Sequence, residues 1–157
     1  MAFIREIKAG DLSLCAAVFV YTMNDEPWYE QWSPEKAQKY LGELLDMPNA
    51  LCFVAEEEDE VVGAAFCRLR TWYSGSELYI EEMFVQTEYQ RRGIGGDILA
   101  CLEEYAMENG IGSIALTTDR RYPAARFFAD YGFAASPDIT LMYKDVEQRW
   151  FTLDNDG

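Results

Sequence analysis

Tyr79-Ile80-Glu81-Glu82-Met83-Phe84-Val85, followed after four residues by Gln90-Arg91-Arg92-Gly93-Ile94-Gly95-Gly96, decides how the chain folds. The first run is apolar and strand-like apart from its two carboxylates. An apolar-periodic helix running to about Asn109 follows the second. A strand, a basic turn, glycines and a helix are the parts from which a backbone builds an anion site. The first N–H groups of a helix have no intrahelical partner, and the helix dipole places partial positive charge there. Gly93, Gly95 and Gly96 let a phosphate approach the backbone because no Cβ intervenes, and Arg91 and Arg92 add formal charge. Spacing separates three kinds of glycine loop. A nucleoside triphosphate loop needs Gly-Lys-Ser/Thr, but Asp97 follows Gly96. A dinucleotide loop needs a glycine where Ile98 stands, and no lone acidic residue closes a following strand. What remains is Gln-x-x-Gly-x-Gly, five residues after a strand-ending Val85.

Working outward, the helix after the loop sets Ile94, Ile98, Leu102, Tyr105 and Ala106 on one face, and Asn109-Gly110 ends it. Gly112 to Thr117 is a strand reached by a crossover, so it lies parallel to the strand before the loop. Pro123 starts a short helix, Ala124 to Asp130, which Gly132 ends. Phe133-Ala134 and Ile139 to Lys144 are expected to complete an antiparallel edge. Upstream, Glu77 to Val85 is the central strand. Ala50 to Ala55 and Val61 to Arg70 form a hairpin around the acidic turn Glu56 to Glu60, with Gly63 marking a bulge or a close approach. Ala2 to Ile7 reads as a first strand, and Asp11 as the N-cap of a helix from Leu12 to about Tyr21. Ser33-Pro34 starts a second helix that carries Ala37, Tyr40, Leu41, Leu44 and Leu45 on one face and stops near Pro48. Between the two helices lies Asp25-Glu26-Pro27-Trp28-Tyr29-Glu30-Gln31-Trp32, rich in acids and aromatics.

The 157 residues suit a single domain, 1–157, with enough apolar content for a core. No apolar run reaches the roughly 20 residues of a membrane span, and the first residues lack a signal-like apolar region, so a cytoplasmic location is expected. Cys15, Cys52, Cys67 and Cys101 sit in apolar settings without metal-ligand spacing and read as buried free thiols; no metal is expected. The chain has no histidine, which excludes Ser-His-Asp and Cys-His mechanisms and His-containing zinc sites. Proton chemistry must use carboxylates, tyrosines, lysines or water. With 28 acidic against 13 basic residues, the net charge of −15 repels nucleic acid and anionic membranes and attracts cations; it also keeps a protein soluble.

The loop at Gln90 to Gly96 resembles the acetyl-CoA pyrophosphate loop of the GNAT acyltransferase superfamily, and Phe127-Phe128-Ala129-Asp130-Tyr131-Gly132-Phe133 resembles that family's helix ending in Gly-Phe. The order β-α-α-β-β-β-α-β-α-β matches the family along nearly the whole chain. The resemblance implies an α/β (α+β) GNAT fold. Its central sheet is mixed and mostly antiparallel, of six or seven strands, with about four helices. The Asp25 to Trp32 run and the glutamates of the central strand look most like the small-amine and aminoglycoside-type branch.

What the resemblance implies for function is acetyl transfer from acetyl-CoA, a cosubstrate, to a primary amine of a cationic small molecule or peptide. The alternative is a non-catalytic acyl-CoA-binding or sensing module. The cofactor residues would be Met83, Phe84 and Val85, whose backbone would hold the pantetheine arm and polarise the thioester through a Met83 or Phe84 N–H, together with Gln90, Arg91, Arg92, Gly93, Ile94, Gly95 and Gly96. Glu81 and Glu82 are the catalytic candidates. Side chains alternate on a strand, so only one faces the cleft unless a bulge intervenes; Glu81, sharing the parity of Met83 and Val85, is the favoured base. Asp25, Glu26, Trp28 and Trp32 would bind the amine through charge and cation–π attraction, unless the tryptophans are core anchors. The family's usual proton-donating tyrosine is Phe128 here, with Tyr122 and Tyr131 nearby, and Arg121 stands where relatives often have Asn. Trp150 and Phe151 suit a partner surface, as in a homodimer, or a cover for the protein's own sheet.

Overall fold

The computed structural model describes residues 2–146. The chain runs β1 (Phe3–Glu6), α1 (Leu12–Met23), α2 (Pro34–Leu45), β2 (Ala50–Glu57), β3 (Glu60–Trp72), β4 (Gly75–Val85), α3 (Ile94–Glu108), β5 (Ser113–Leu116) and α4 (Pro123–Asp130), with 3₁₀ turns at Ala9–Asp11 and Thr87–Tyr89. The strands lie in sequence order in one sheet. Neighbours are antiparallel up to β4, and β5 joins β4 in parallel after the α3 crossover. This is the expected mixed α+β sheet, with a correction in strand number: five among the described residues, where six or seven were expected.

The missing edge has a local cause. Ser136 Oγ accepts from the N–H groups of Asp138 and Ile139, a turn that re-aims the backbone just before the apolar run. Ile139, Leu141, Met142 and Tyr143 are exposed, and neither they nor Phe133-Ala134 pair with β5. Trp150 and Phe151 lie outside the described residues.

Alternation along the strands sorts the core into two layers. On one sheet face, α1 and α2 bury Cys15, Phe19, Leu41, Val54, Phe66 and Phe84. On the other, α3 buries Val62, Cys67, Leu78, Ile80, Ile98 and Leu102. The ends of the elements follow turn chemistry. Ser33 Oγ accepts from Lys36 N at 3.1 Å with Pro34 in the first helical turn, as expected. The acidic hairpin turn tightens to Glu58-Asp59, both left-handed with φ of 52° and 66°, which matches the twist of β2 and β3. Gly63 is a close approach: a Cβ there would sit 2.7 Å from the Phe84 carbonyl oxygen. Asp11 does not cap α1. Its carboxylate takes the Arg5 guanidinium at 2.8 and 2.9 Å and the Lys8 N–H at 2.7 Å. The Arg5 bonds hold it well below the usual carboxylate range, at about 2.

Candidate active site

The pairing of β4 with β3 slips by one residue. Phe66 faces Glu82, Cys67 faces Ile80, and Glu81 is the extra residue of a bulge. A bulge shifts side-chain alternation by one. Before it, Leu78 and Ile80 point into the α3 layer. After it, Phe84 points into the α1/α2 layer, and Met83 and Val85 point toward α3. Glu81 and Glu82 thereby come to the same face, that of α1 and α2. The simple parity that joined Glu81 to Met83 and Val85 does not survive the bulge.

The two carboxylates have different surroundings. Glu81 Oε1 accepts from Arg68 Nε at 2.7 Å. Among the described residues no cation is paired with Glu82. Burial pushes its carboxyl up to about 7, against a downward pull from the Tyr40 hydroxyl, and Glu30 adds upward repulsion. Tyr40 Oη donates to Glu82 Oε2 at 2.8 Å, and burial followed by the Glu82 charge raises its own pKa. Its ring stacks on Trp32 with centroids 5.1 Å apart. Trp32 Nε1 donates to Glu30 Oε1 at 2.6 Å. Asn24 clips the Trp32 backbone from both sides, accepting its N–H at 2.8 Å and donating to its carbonyl at 3.0 Å.

Trp28 and Trp32 are thus partly core residues, packed against the α1/α2 layer. Asp25 and Glu26 are exposed, and no hydrogen bond or ion pair among the described residues joins them to Glu82. Of the residues that surround Glu82, Tyr40 was missed in the sequence, because it lies on the apolar stripe of α2 and reads as core. Glu30 belongs to the acidic and aromatic run whose acids the sequence already pointed to.

Beside these carboxylates the sheet opens. β5 pairs with β4 only from Glu77 to Ile80, so Glu81 to Val85 has no strand on that side among the described residues. Gln86 N donates to the Val62 carbonyl at 2.7 Å. Ladder alternation then turns the Phe84 amide toward β3 and those of Met83 and Val85 into the gap. Gln90 Nε2 caps the Val85 carbonyl at 2.8 Å. The loop then reverses through Arg91 and Gly93, with φ of 64° and 82°. The left-handed Gly93 carbonyl accepts the first α3 bond, from Asp97 N at 2.9 Å. Ile94 is buried, so it anchors the helix start and leaves donation to its backbone. Arg92 lies over the Tyr89 ring at 5.1 Å. Arg91 and Arg92 are exposed beside unpaired helix-initial N–H groups, an arrangement that fits a pyrophosphate.

The other two glycines have a packing reason. A Cβ at Gly95 would stand 2.8 Å from the Phe127 ring, and one at Gly96 would collide with the Tyr131 hydroxyl. The rings of Phe127 on α4 and of Tyr131 just after it rest on the first turn of α3.

The profile of the acetyltransferase (GNAT) family matches residues 17–133. The chain belongs to the GNAT acetyltransferase family. An uncharacterized N-acetyltransferase of Bacillus subtilis, YhfO, is 28% identical over 128 residues, 78% of this chain and 83% of that protein. An uncharacterized N-acetyltransferase of Archaeoglobus fulgidus is 30% identical over 131 residues, 80% and 88% of the two chains. Among solved structures, an aminoglycoside N-acetyltransferase in complex with CoA superposes with a TM-score of 0.71 at 17% identity, covering 92% of this chain and 95% of that one. The protein is therefore a GNAT N-acetyltransferase, with the family's fold. No helix among the described residues is long and apolar enough to cross a membrane. Against the family pattern, Phe128 packs edge-on to Phe127 and Phe133, with centroids 5.2 and 5.5 Å away. Tyr131 stands over Gly96, and Tyr122 sits beneath Arg121 at the start of α4.

Proposed function

We propose that the protein transfers the acetyl group of acetyl-CoA to a primary amine, a cationic small molecule or peptide, with Glu82 as general base. The observation that carries this reading is the part-buried Glu82 carboxylate, held by Tyr40 Oη at 2.8 Å beside an open strand edge, where burial pushes its carboxyl up to about 7. A base works best when its pKa lies near the working pH. The pyrophosphate would rest on the α3 start with Arg91 and Arg92, and the pantetheine arm along the Met83 and Val85 backbone. Binding of CoA by the structurally similar aminoglycoside N-acetyltransferase supports the cosubstrate. In the reaction, the ammonium gives a proton to Glu82, and the amine nitrogen attacks the thioester carbonyl. The Met83 N–H, which also reaches the Glu82 carboxylate, bonds the developing oxyanion. The C–S bond then breaks, CoA departs as thiolate, and the second proton of the attacking nitrogen passes to that thiolate or to water, leaving the neutral amide. A free thiol of pKa about 8.5 leaves without obligatory protonation, so Phe128 is compatible with turnover.

Glu81 is the weaker base candidate, because its charge is already matched by Arg68. Trp32, Glu30 and Tyr40 form the wall where a cation would be held, and Asp25, Glu26 and Trp28 would line its approach. The test is thiol release from acetyl-CoA across a panel of primary amines. Turnover with ammonium-bearing acceptors is expected, rising with pH through about 7. Acetyl-CoA that binds without any release across the panel would refute the assignment and favour a sensing role.

A further inference from the structure

Beyond Glu82 the α1/α2 face of the sheet changes from apolar to charged. Phe66 faces Glu82 in register, Arg68 faces Tyr79, and Arg70 faces Glu77. Both arginines follow Phe66 at steps of two on β3, so they share its face. Their guanidinium carbons stand 5.8 and 4.8 Å from the centroid of one ring, Tyr79. That ring is tied down at its far end, where the hydroxyl lies 2.6 Å from Thr117 Oγ1 on the neighbouring chain segment. Each arginine is braced by one acid and only partly used. Arg68 spends Nε on Glu81, and Arg70 Nη1 lies 3.4 Å from Glu77. No further hydrogen bond occupies their remaining N–H groups among the described residues. Their side chains are 32% and 39% exposed.

Two oriented, half-exposed guanidinium forks in a chain of net charge −15 sit on the one face that carries the base. We propose that the acceptor is a zwitterion: a primary amine that also carries a carboxylate, with the amine at Glu82 and the carboxylate on Arg68 and Arg70. This rests on the acetyltransferase reading and narrows its acceptor from any cationic amine to one whose ammonium is balanced by a carboxylate. A strand rises about 3.3 Å per residue, which puts Arg68 roughly 7 Å along β3 from the residue opposite Glu82. The amine and the carboxylate are therefore several bonds apart. A guanidinium fork bonds a carboxylate through two parallel N–H groups, which fixes direction as well as charge. Glu77 and Glu81 hold the forks in place and repel a dianion, so a singly charged carboxylate fits better than a phosphate.

The experiment compares ε-aminocaproate, its carboxamide and hexamethylenediamine, which share chain length and amine. Acetyl transfer should favour the carboxylate by about ten-fold or more in kcat/KM, chiefly through KM, as expected for a charge-assisted contact made before chemistry. In Arg70→Gln the three acceptors should become equivalent, and Arg70→Lys should restore part of the preference. Equal turnover of acid, amide and diamine by the unaltered protein would overturn the proposal, as would a preference that persists in an Arg68→Gln, Arg70→Gln double variant. Calorimetry keeps the two readings apart. If none of the three is acetylated, the acetyl-transfer reading fails for them, yet tighter binding of aminocaproate than of its amide, lost in Arg70→Gln, still supports the carboxylate subsite. Equal affinities overturn it.

Discussion

The two ends of the proposed reaction site are built from different materials. At the acyl-donor end, β4 leaves β5 and α3 begins, and recognition would fall largely on backbone: amides turned into a gap, helix-initial N–H groups and a left-handed glycine. At the acceptor end, the same strand presents side chains: Glu82 under Tyr40, Glu81 on Arg68, and arginines around Tyr79. Backbone recognition tolerates many residue types as long as the path of the chain is kept. Side-chain recognition depends on burial and neighbours, so one atom changed there alters charge. Substitutions should therefore split cleanly, with acceptor-end changes moving turnover and pH dependence and donor-end changes moving acetyl-CoA affinity.

The largest expected effect breaks the acceptor end alone. Glu82→Gln keeps the size of the side chain and removes the base, so kcat should fall about 10²- to 10⁴-fold. Acetyl-CoA affinity by calorimetry should be unchanged. In the unaltered protein kcat/KM should rise with pH and level off above about 7, the value to which burial raises this carboxyl. Glu81→Gln, which unpairs Arg68, should cost less. If Glu81→Gln were the inactive variant, the ion pair would have to open during turnover and the roles would exchange.

The same substitution should act on stability in the opposite direction. Glu82 titrates at about 7 in the fold against an ordinary value of 4.5. The folded state holds its proton where the unfolded state has lost it, so stability declines as pH rises between those values. Below the lower value the carboxyl is neutral in both states and Gln gains nothing. Above the upper value the buried charge costs about 3 kcal/mol, at 1.36 kcal/mol per pKa unit. Denaturant unfolding of Glu82→Gln should show a gain that opens with rising pH and is fully present at pH 8. A gain independent of pH would mean that packing, not charge, is responsible.

At the donor end, Arg91→Ala with Arg92→Ala should weaken acetyl-CoA binding by about ten-fold, an effect that shrinks at high salt because both arginines are exposed. The arginines are the better probes of the loop. Gly95 and Gly96 accommodate the Phe127 ring and the Tyr131 hydroxyl, so a side chain at either would displace α4 as well as any ligand.

How much of this was legible in the sequence follows the same division. The strand, loop and helix around Gln90 to Gly96 could be read because their causes are local: helix-period apolar residues and a Gln-x-x-Gly-x-Gly spacing after a strand-ending Val85; that Gln90 caps Val85 and that Gly93 is left-handed came only with the structure. The hairpins, the parallel return of β5 and the Ser33 cap were readable on the same grounds. The bulge at Glu81 was not. It arises from how β4 registers with β3, and it brings Glu81 to the same face as Glu82. Burial raises the pKa of Glu82 against the downward pull of Tyr40, and Tyr40 lies 42 residues earlier, on α2. Ile139 to Lys144 has the composition of a strand, but composition does not supply an edge to pair with, and the Ser136 turn sends the backbone elsewhere.

The smallest effect sharpens the comparison most, because it separates holding the base from being the base. Tyr40 moves no proton in the proposed mechanism; its hydroxyl acts through Glu82. Its ring stacks on Trp32 and its hydroxyl donates to Oε2. Tyr40→Phe keeps the ring and the stacking and removes only that hydrogen bond. The bond favours the charged carboxylate and lowers its pKa, so its loss should move the midpoint of the pH–rate profile upward from about 7. At neutral pH the rate should fall by less than about ten-fold, because less of the base is ionised and its orientation is looser. Well above the new midpoint, the part due to ionisation should vanish and only the orientation loss should remain. A purely structural role predicts something else: an unmoved midpoint with a rate loss equal at every pH. The full pH profile of this variant, taken beside that of Glu82→Gln, decides whether the hydroxyl tunes the base or only packs against it.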